Sequence, residues 1–122
     1  DLANGDTIAW GTEIVDRNSN FASSTFTAPV TGQYLLSVVL RLRNGDAAAN
    51  YMIARMETSN RHYDFIASGD RWDANPNYWS ANFSTIADMD ASDTVTVEWY
   101  QSGGSNQIDV ETDSRFSGHL LG

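Results

Sequence analysis

The sequence predicts an all-β protein, an antiparallel sandwich of two sheets. Short stretches of alternating apolar and polar residues recur along the chain, and a period of two is the signature of a strand. Turn clusters of Gly, Asn, Asp and Ser separate these stretches at intervals of about ten residues, which is typical of sandwiches. No stretch has helical apolar spacing. A total of about eight to ten strands favours the jelly-roll class of sandwiches.

One long strand, predicted from Tyr34 to Arg43, organises the rest of the chain. It follows Pro29, which cannot donate to a ladder and therefore ends the preceding strand. Its first face is apolar throughout. Its second face should be polar if it met solvent, yet it carries Leu35 and Val39. The strand is therefore predicted to be buried on both faces, once by its own core and once by something else.

The same alternation predicts the other elements in chain order. Asn44-Gly45 lies between two strand patterns and predicts a tight hairpin. Trp10, Trp79 and Trp99 fall on inward faces and are expected in the core. The predicted strands besides the long one are Ile8 to Ile14, Phe21 to Thr27, Asn50 to Glu57, His62 to Ala67, Tyr78 to Met89, Thr94 to Tyr100, Ile108 to Val110 and Arg115 to Leu121, with a turn at Asp16 to Asn20 and an irregular stretch at Ser68 to Asn77.

The length of 122 residues fits one domain, 1–122, and no internal repeat divides it. Residues 1–6 show no periodicity and are interpreted as a lead-in segment, with other sequence expected upstream in the full protein. The chain has no cysteine, so disulfide and thiol chemistry are excluded.

The charge balance argues against two classes of partner. Seven basic residues, all arginine, stand against sixteen acidic ones, and the net charge is -9. Such a surface repels phosphate backbones and anionic lipid, so nucleic-acid binding is not expected. No apolar run approaches the ~20 residues of a membrane helix, so membrane insertion is not expected either.

Three blocks of the sequence resemble the C1q/TNF-like family of jelly-roll domains. They are FTAPVTGQY before the long strand, MDASDTVTV, and the closing SRFSGHLLG. They occur in the family's order, and the resemblance covers about Ile8 to Gly122. The family's usual glycine before Asp93 is Ser92 here, so that turn is expected to take a different geometry.

The resemblance implies a jelly roll of about ten strands that assembles as a homotrimer without enzymatic activity. The last strand, like the long one, carries apolar residues on both faces. The predicted trimer interface is therefore Leu35, Val39, His119 and Leu121.

Two further sites are hypotheses. Asp88, Asp90 and Asp93 lie within six residues, and some members of the family bind calcium, but an acidic cluster is more often a solvated surface. The sequence indicates no cofactor, apart from the calcium hypothesis at these aspartates. Trp72 lies in a polar loop with Tyr78 close behind it, so the two could stack on a sugar or contact a partner. The alternative is that Trp72 folds back as a loop anchor.

The sequence leaves three hypotheses for the function of the domain. The first is a structural head domain, most simply a virion component such as a phage capsid decoration protein or a fibre or spike tip, with capsid or tail proteins as partners. Absent cysteine, absent lysine and strong acidity favour that setting. The second is a lectin-like head that recognises cell-surface glycan, with or without calcium. The third, a hydrolase using His62 and Asp64, lacks a positioned serine and an oxyanion hole. The expected location is a virion or the extracellular cell surface.

Overall fold

The computed structural model describes residues 1–10, 21–22 and 24–122. Within these residues the chain forms two antiparallel sheets and one 3-10 turn at Gly69–Arg71. The strands are β1 (Asp6–Thr7), β2 (Phe21–Ala22), β3 (Thr25–Thr27), β4 (Gly32–Arg43), β5 (Tyr51–Thr58), β6 (His62–Ala67), β7 (Tyr78–Met89), β8 (Thr94–Ser102), β9 (Asp109–Val110) and β10 (Arg115–Leu120). The all-β, two-sheet jelly roll predicted from the sequence is confirmed.

The first sheet, called the six-stranded sheet, has the order β2-β3-β8-β5-β6, and β1 pairs with β8. The second, the four-stranded sheet, has the order β10-β4-β7, and β9 pairs with the end of β4. β4 and β7 pair over their whole length, from Gly32 opposite Met89 to Arg43 opposite Tyr78. The long strand is thus the centre of the four-stranded sheet, as its length and apolar character predicted.

The core fills the space between the sheets and follows the predicted alternation. β4 contributes every second side chain from Tyr34 to Leu42, and β8 contributes Val95, Val97 and Trp99. Trp99 is buried, while Trp10 and Trp79 are partly buried against the core. The predicted turn at Asp16 to Asn20 and most of the predicted first strand lie outside the described residues. In the described part of that strand, residues 8–10, the chain is not in strand conformation, and Ile8 is fully buried.

The turn before β4 is tied by the tyrosine that opens the apolar run. The Tyr34 hydroxyl donates to the Val30 carbonyl at 2.5 Å and accepts from the Val30 N–H at 3.2 Å. The Tyr34 ring also meets Phe26 edge to face at 5.7 Å. On β10, a Cβ added to Gly118 would lie 2.9 Å from the Phe26 ring, so this position has to be glycine for the strand to pass over that ring.

The hairpin predicted at Asn44-Gly45 is wrong. β4 and β5 belong to different sheets, because β7 occupies one edge of β4 and β9 and β10 occupy the other. The chain instead crosses from one sheet to the other here. The N–H groups of Asn44 and Gly45 donate to the carbonyls of Asn77 and Pro76, at 3.1 and 3.0 Å.

The lead-in segment, residues 1–6, is held to the rest of the domain by backbone hydrogen bonds. The Leu2 N–H donates to the Ile108 carbonyl at 2.8 Å, and the Gly5 N–H donates to the Trp99 carbonyl at 2.7 Å. In the described part of the chain, no helix is long and apolar enough to cross a bilayer.

The turn at Ser92 has a φ of 76°, in the left-handed region that glycine adopts without strain. The serine side chain makes this conformation strained. The expectation that this turn differs from that of the family's glycine stays a prediction.

Ser92→Gly should raise the free energy of unfolding by about 1 kcal/mol, because glycine adopts this φ without the Cβ penalty. Urea unfolding followed by tryptophan fluorescence measures the change. Ser84→Gly, an exposed position inside β7, is the matched control and should lower stability by about 0.5–1 kcal/mol. A loss of stability in Ser92→Gly would contradict the strain argument.

Asp46 is a buried carboxylate that holds two loops together. It is 5% exposed, and it accepts hydrogen bonds from the backbone N–H of Ala48 at 2.8 Å and from that of Ser105. Asp46→Ala should cost about 1–3 kcal/mol of unfolding free energy, because both N–H groups lose their acceptor. The exposed Asp73→Ala is the control and should change stability by less than about 0.5 kcal/mol. Equal losses in the two variants would refute the structural role of Asp46.

Candidate binding surfaces

The outward face of the four-stranded sheet carries an apolar patch, called here the four-stranded face. Leu35 lies opposite Ile86 on one neighbouring strand and opposite His119 on the other. Ile86 is 56% exposed and Leu121 is 53% exposed. Val39 lies four residues further along the same side of β4. The structure thus places all four predicted interface residues on one face, and their role in assembly stays a prediction.

Ile86 belongs to this patch but was not among the predicted interface residues. The alternation of β7 assigns its outward face to polar residues such as Ser80, Asn82 and Ser84, and Ile86 interrupts that series. This interruption is the signal that could have identified it. Ser37 lies between Ser84 and Ser117 on the same face, and these small side chains leave that part of the surface flat.

A second apolar surface lies where the sandwich is open, between β6 and β7, and is called the open edge. β6 ends one sheet and β7 ends the other, and among the described residues neither pairs with a further strand. Phe65 and Phe83 stack across this opening with ring centroids 4.2 Å apart, and both are only partly buried. A cavity of about 290 Å³ behind them reaches Met52, Ala54, Trp79 and Trp99.

The two predicted ligand-binding aromatics are separated by the sheet. The Trp72 ring packs against the Trp79 ring at 4.9 Å and contacts the core, and the Arg71 guanidinium lies 6.0 Å from it. Tyr78 is 69% exposed and lies opposite Arg43 on the outward side of β7. Trp72 therefore has the position of a loop anchor, and the two rings form no common platform. A ligand role for either residue stays a prediction.

The acidic candidates lie at the turn between β7 and β8. The Asp93 carboxylate accepts from the Asp90 N–H at 2.9 Å and from the Asn60 side-chain amide at 3.2 Å, so it caps the turn. Across the described residues, no group of three or more His, Asp or Glu side chains is arranged to hold a metal ion. Calcium binding by Asp88, Asp90 and Asp93 stays a hypothesis.

The outward side of the six-stranded sheet, called the six-stranded face, carries an ordered group of side chains that the sequence did not single out. Arg55 donates two hydrogen bonds to Asp64, at 2.7 and 3.1 Å, and its guanidinium lies 4.5 Å from the centre of the Tyr100 ring. The Tyr100 hydroxyl donates to Glu98 at 2.8 Å. Tyr51, 43% exposed, lies on the same face. Alternation of Tyr51, Ile53 and Arg55 along β5 is the signal that could have revealed this face.

These contacts shift the pKa values of Asp64 and Tyr100 in opposite directions. The hydrogen bonds from Arg55 lower the pKa of Asp64, and the charges of Arg55 and His62 add to that effect against a smaller opposing effect of burial. The hydrogen bond to Glu98, together with burial, raises the pKa of Tyr100. Asp64 is therefore the hydrogen-bonding partner of Arg55 rather than of His62, whose Nε2 is 4.0 Å from the Asp64 carboxylate.

The Arg55–Asp64 pair predicts a pH-dependent contribution to stability. A carboxyl whose pKa is lower when folded stabilises the protein above its unfolded pKa, about 3.9, and loses that effect as the pH falls through the folded value. Asp64→Asn should therefore cost about 1 kcal/mol or less at pH 7, since the pair is partly exposed. The cost should shrink below pH 4.

Denaturant unfolding of the parent and of Asp64→Asn between pH 7 and pH 2.5 measures how the cost of this substitution in unfolding free energy changes with pH. Asp73→Asn, at an exposed position, is the control and should show little difference from the parent at any pH. A cost of Asp64→Asn that grows as the pH falls would contradict the assignment.

Comparison with known proteins gives both a family and a fold. The chain matches the C1q domain family over residues 2–121. No curated protein matches it in sequence. Among solved structures it resembles the globular domain of zebrafish complement 1qA, with a TM-score of 0.70, 15% identity, and coverage of 98% of this chain and 87% of that one.

A second resemblance is to murine APRIL. The structure of that protein at pH 8.5 gives a TM-score of 0.55 and 15% identity over 86% of this chain and 77% of that one. The structure at pH 5.0 gives 0.53 and 17% identity over 86% and 79%. At these identities the likeness establishes the fold, and the match over residues 2–121 establishes the family. The chain belongs to the C1q domain family.

Proposed function

We propose that this domain is a non-enzymatic trimeric head with a structural or assembly role. The observation that carries the proposal is the presence of two different exposed apolar surfaces, the four-stranded face and the open edge. A two-sheet sandwich has one core of its own, so apolar residues on a second face are best covered by another subunit.

The two surfaces differ in shape, which favours a head-to-tail arrangement. The four-stranded face is broad and flat, because the small side chains of serines flank its apolar residues. The open edge is narrow and presents Phe65 and Phe83. If the open edge of one subunit packs on the four-stranded face of the next, the interface is heterologous, and such an interface gives a ring when the rotation between subunits closes and an open filament when it does not. A ring of three is the state that membership of this family favours.

The setting we favour is the surface of a virion or of a cell, where a head domain is attached to other protein. The chain has no lysine, no cysteine and a net charge of -9, which suits a capsid decoration protein or the tip of a fibre or spike. In that role the domain would act mechanically: the trimer would bury the apolar surfaces, and capsid or tail proteins would be its partners.

The alternative is a lectin-like head that recognises cell-surface glycan through Trp72 and Tyr78, with or without calcium. The placement of Trp72 against Trp79 gives it less support than the sequence did. Trp72→Ala and Tyr78→Ala test this alternative, because loss of glycan binding in an intact assembly would favour it over a purely structural role.

Ile86→Asp and Val39→Asp should each convert the trimer to monomers at micromolar concentration. Each replaces an apolar side chain whose burial is worth about 1.5–3 kcal/mol with a carboxylate that has to lose its water. Ile86 is 56% exposed in the single subunit, so its replacement should leave the fold intact. Light scattering gives the mass, and circular dichroism checks the fold.

Tyr51→Asp is the matched control, because it adds the same charge to an exposed strand position on the other sheet. It should remain trimeric. If Ile86→Asp and Val39→Asp also remain trimeric, the four-stranded face is not the interface.

A further inference from the structure

We propose that the six-stranded face carries a binding site for a neutral oligosaccharide, centred on Tyr51. This site is separate from both surfaces assigned to assembly, and the proposal does not depend on the trimer. It deepens the lectin-like alternative by moving the sugar site away from Trp72 and Tyr78.

The site is a shallow groove of about 280 Å³ where the N-terminal segment meets β5 and β8. It is lined by Asn4, Tyr51, Ile53, Arg55, Tyr100 and Ser102, together with Gln101. This volume lies just below the range of about 300–1,000 Å³ for enclosed small-molecule pockets. An open groove of this size on a sheet suits one part of an extended ligand.

Its side chains are fixed in place before any ligand arrives. Asp64 holds the Arg55 guanidinium through two hydrogen bonds, and that guanidinium covers the Tyr100 ring at 4.5 Å. Glu98 holds the Tyr100 hydroxyl at 2.8 Å. The Asn4 side-chain oxygen accepts from the Gln101 N–H at 3.1 Å, which orients its amide group in the wall. A ligand therefore binds without ordering these groups, which removes their contribution to the entropic cost of association.

The charged groups around the groove favour a neutral ligand. Arg55 is matched by Asp64, so an anion finds no unpaired guanidinium here, and the net charge of -9 repels polyanions as a whole. A cation finds no carboxylate among the described residues that line the groove, and the Tyr100 ring is already covered by Arg55.

What the groove offers is an aromatic ring beside uncharged hydrogen-bonding groups. Tyr51 is 43% exposed, and the electron-rich face of its ring attracts the C–H groups of a pyranose. The Asn4 amide and the Ser102 hydroxyl lie within the same groove and can bond sugar hydroxyls. Ile53 adds an apolar floor. This combination is suited to a neutral sugar chain.

The test is a titration of the isotope-labelled domain with four neutral probes, cellohexaose, maltohexaose, chitohexaose and mannohexaose, followed by NMR. At least one probe should bind, and its shift changes should centre on Asn4, Tyr51 and Tyr100. Tyr51→Ala should weaken binding at least tenfold, while Tyr51→Phe should retain most of it because the ring is kept.

Tyr78→Ala removes an exposed tyrosine from the opposite sheet and separates this site from the one at Trp72 and Tyr78; it should bind like the parent, and weaker binding in this variant would count against the Tyr51 site. Light scattering on every variant keeps the result separate from the state of assembly. Binding of none of the four probes would overturn the proposal. So would shift changes centred on Trp72 and Tyr78, binding of the polyanion heparin alone, or a Tyr51→Ala variant that binds like the parent.

Discussion

The opening of the sandwich between β6 and β7 is the constraint on which the rest of the structure depends. Each of these strands ends its sheet, so the apolar layer between the sheets reaches the surface there, where Phe65 and Phe83 stack at 4.2 Å. Among the described residues, no further strand or helix covers this opening. An exposed apolar surface of this kind is typical of a site that another chain covers. The apolar patch on the four-stranded face is suited to cover the open edge of a neighbouring subunit. Subunits that carry both surfaces can therefore assemble into a ring.

The two outward faces of the sandwich differ in their chemistry. On the four-stranded face, apolar and small side chains lie side by side across three strands, with Leu35 flanked by Ile86 and His119. On the six-stranded face, the charged groups are paired with one another, and Tyr51 stays exposed beside a shallow groove. One face is suited to excluding water against a flat partner. The other is suited to a small or extended polar ligand that does not have to displace an ionic pair.

Much of this architecture could be predicted from the sequence, because alternation fixes which side chains face the core. The inward series of β4, β5, β7 and β8 lie where the pattern predicted. The hairpin predicted at Asn44-Gly45 is wrong because a turn dipeptide specifies the local backbone conformation but does not decide which strands become neighbours. The left-handed φ of Ser92 could not be predicted from the residue type, because the surrounding hydrogen bonds, such as that from the Ser92 N–H to the Ala28 carbonyl, impose a conformation against the residue's preference. The six-stranded face was missed because its residues come together only through the pairing of β5 with β8, which alternation alone cannot give.

The central claim is that the domain closes its apolar surfaces by forming a trimer. Sedimentation equilibrium of the unmodified domain at micromolar concentration, with and without a calcium chelator, tests it most directly. The account predicts a mass near three times 13.4 kDa in both conditions. A mass of 13.4 kDa in both would contradict it, because the open edge and the four-stranded face would then remain exposed to water. A trimer that dissociates only with the chelator would also contradict it, since calcium rather than apolar burial would hold the subunits together.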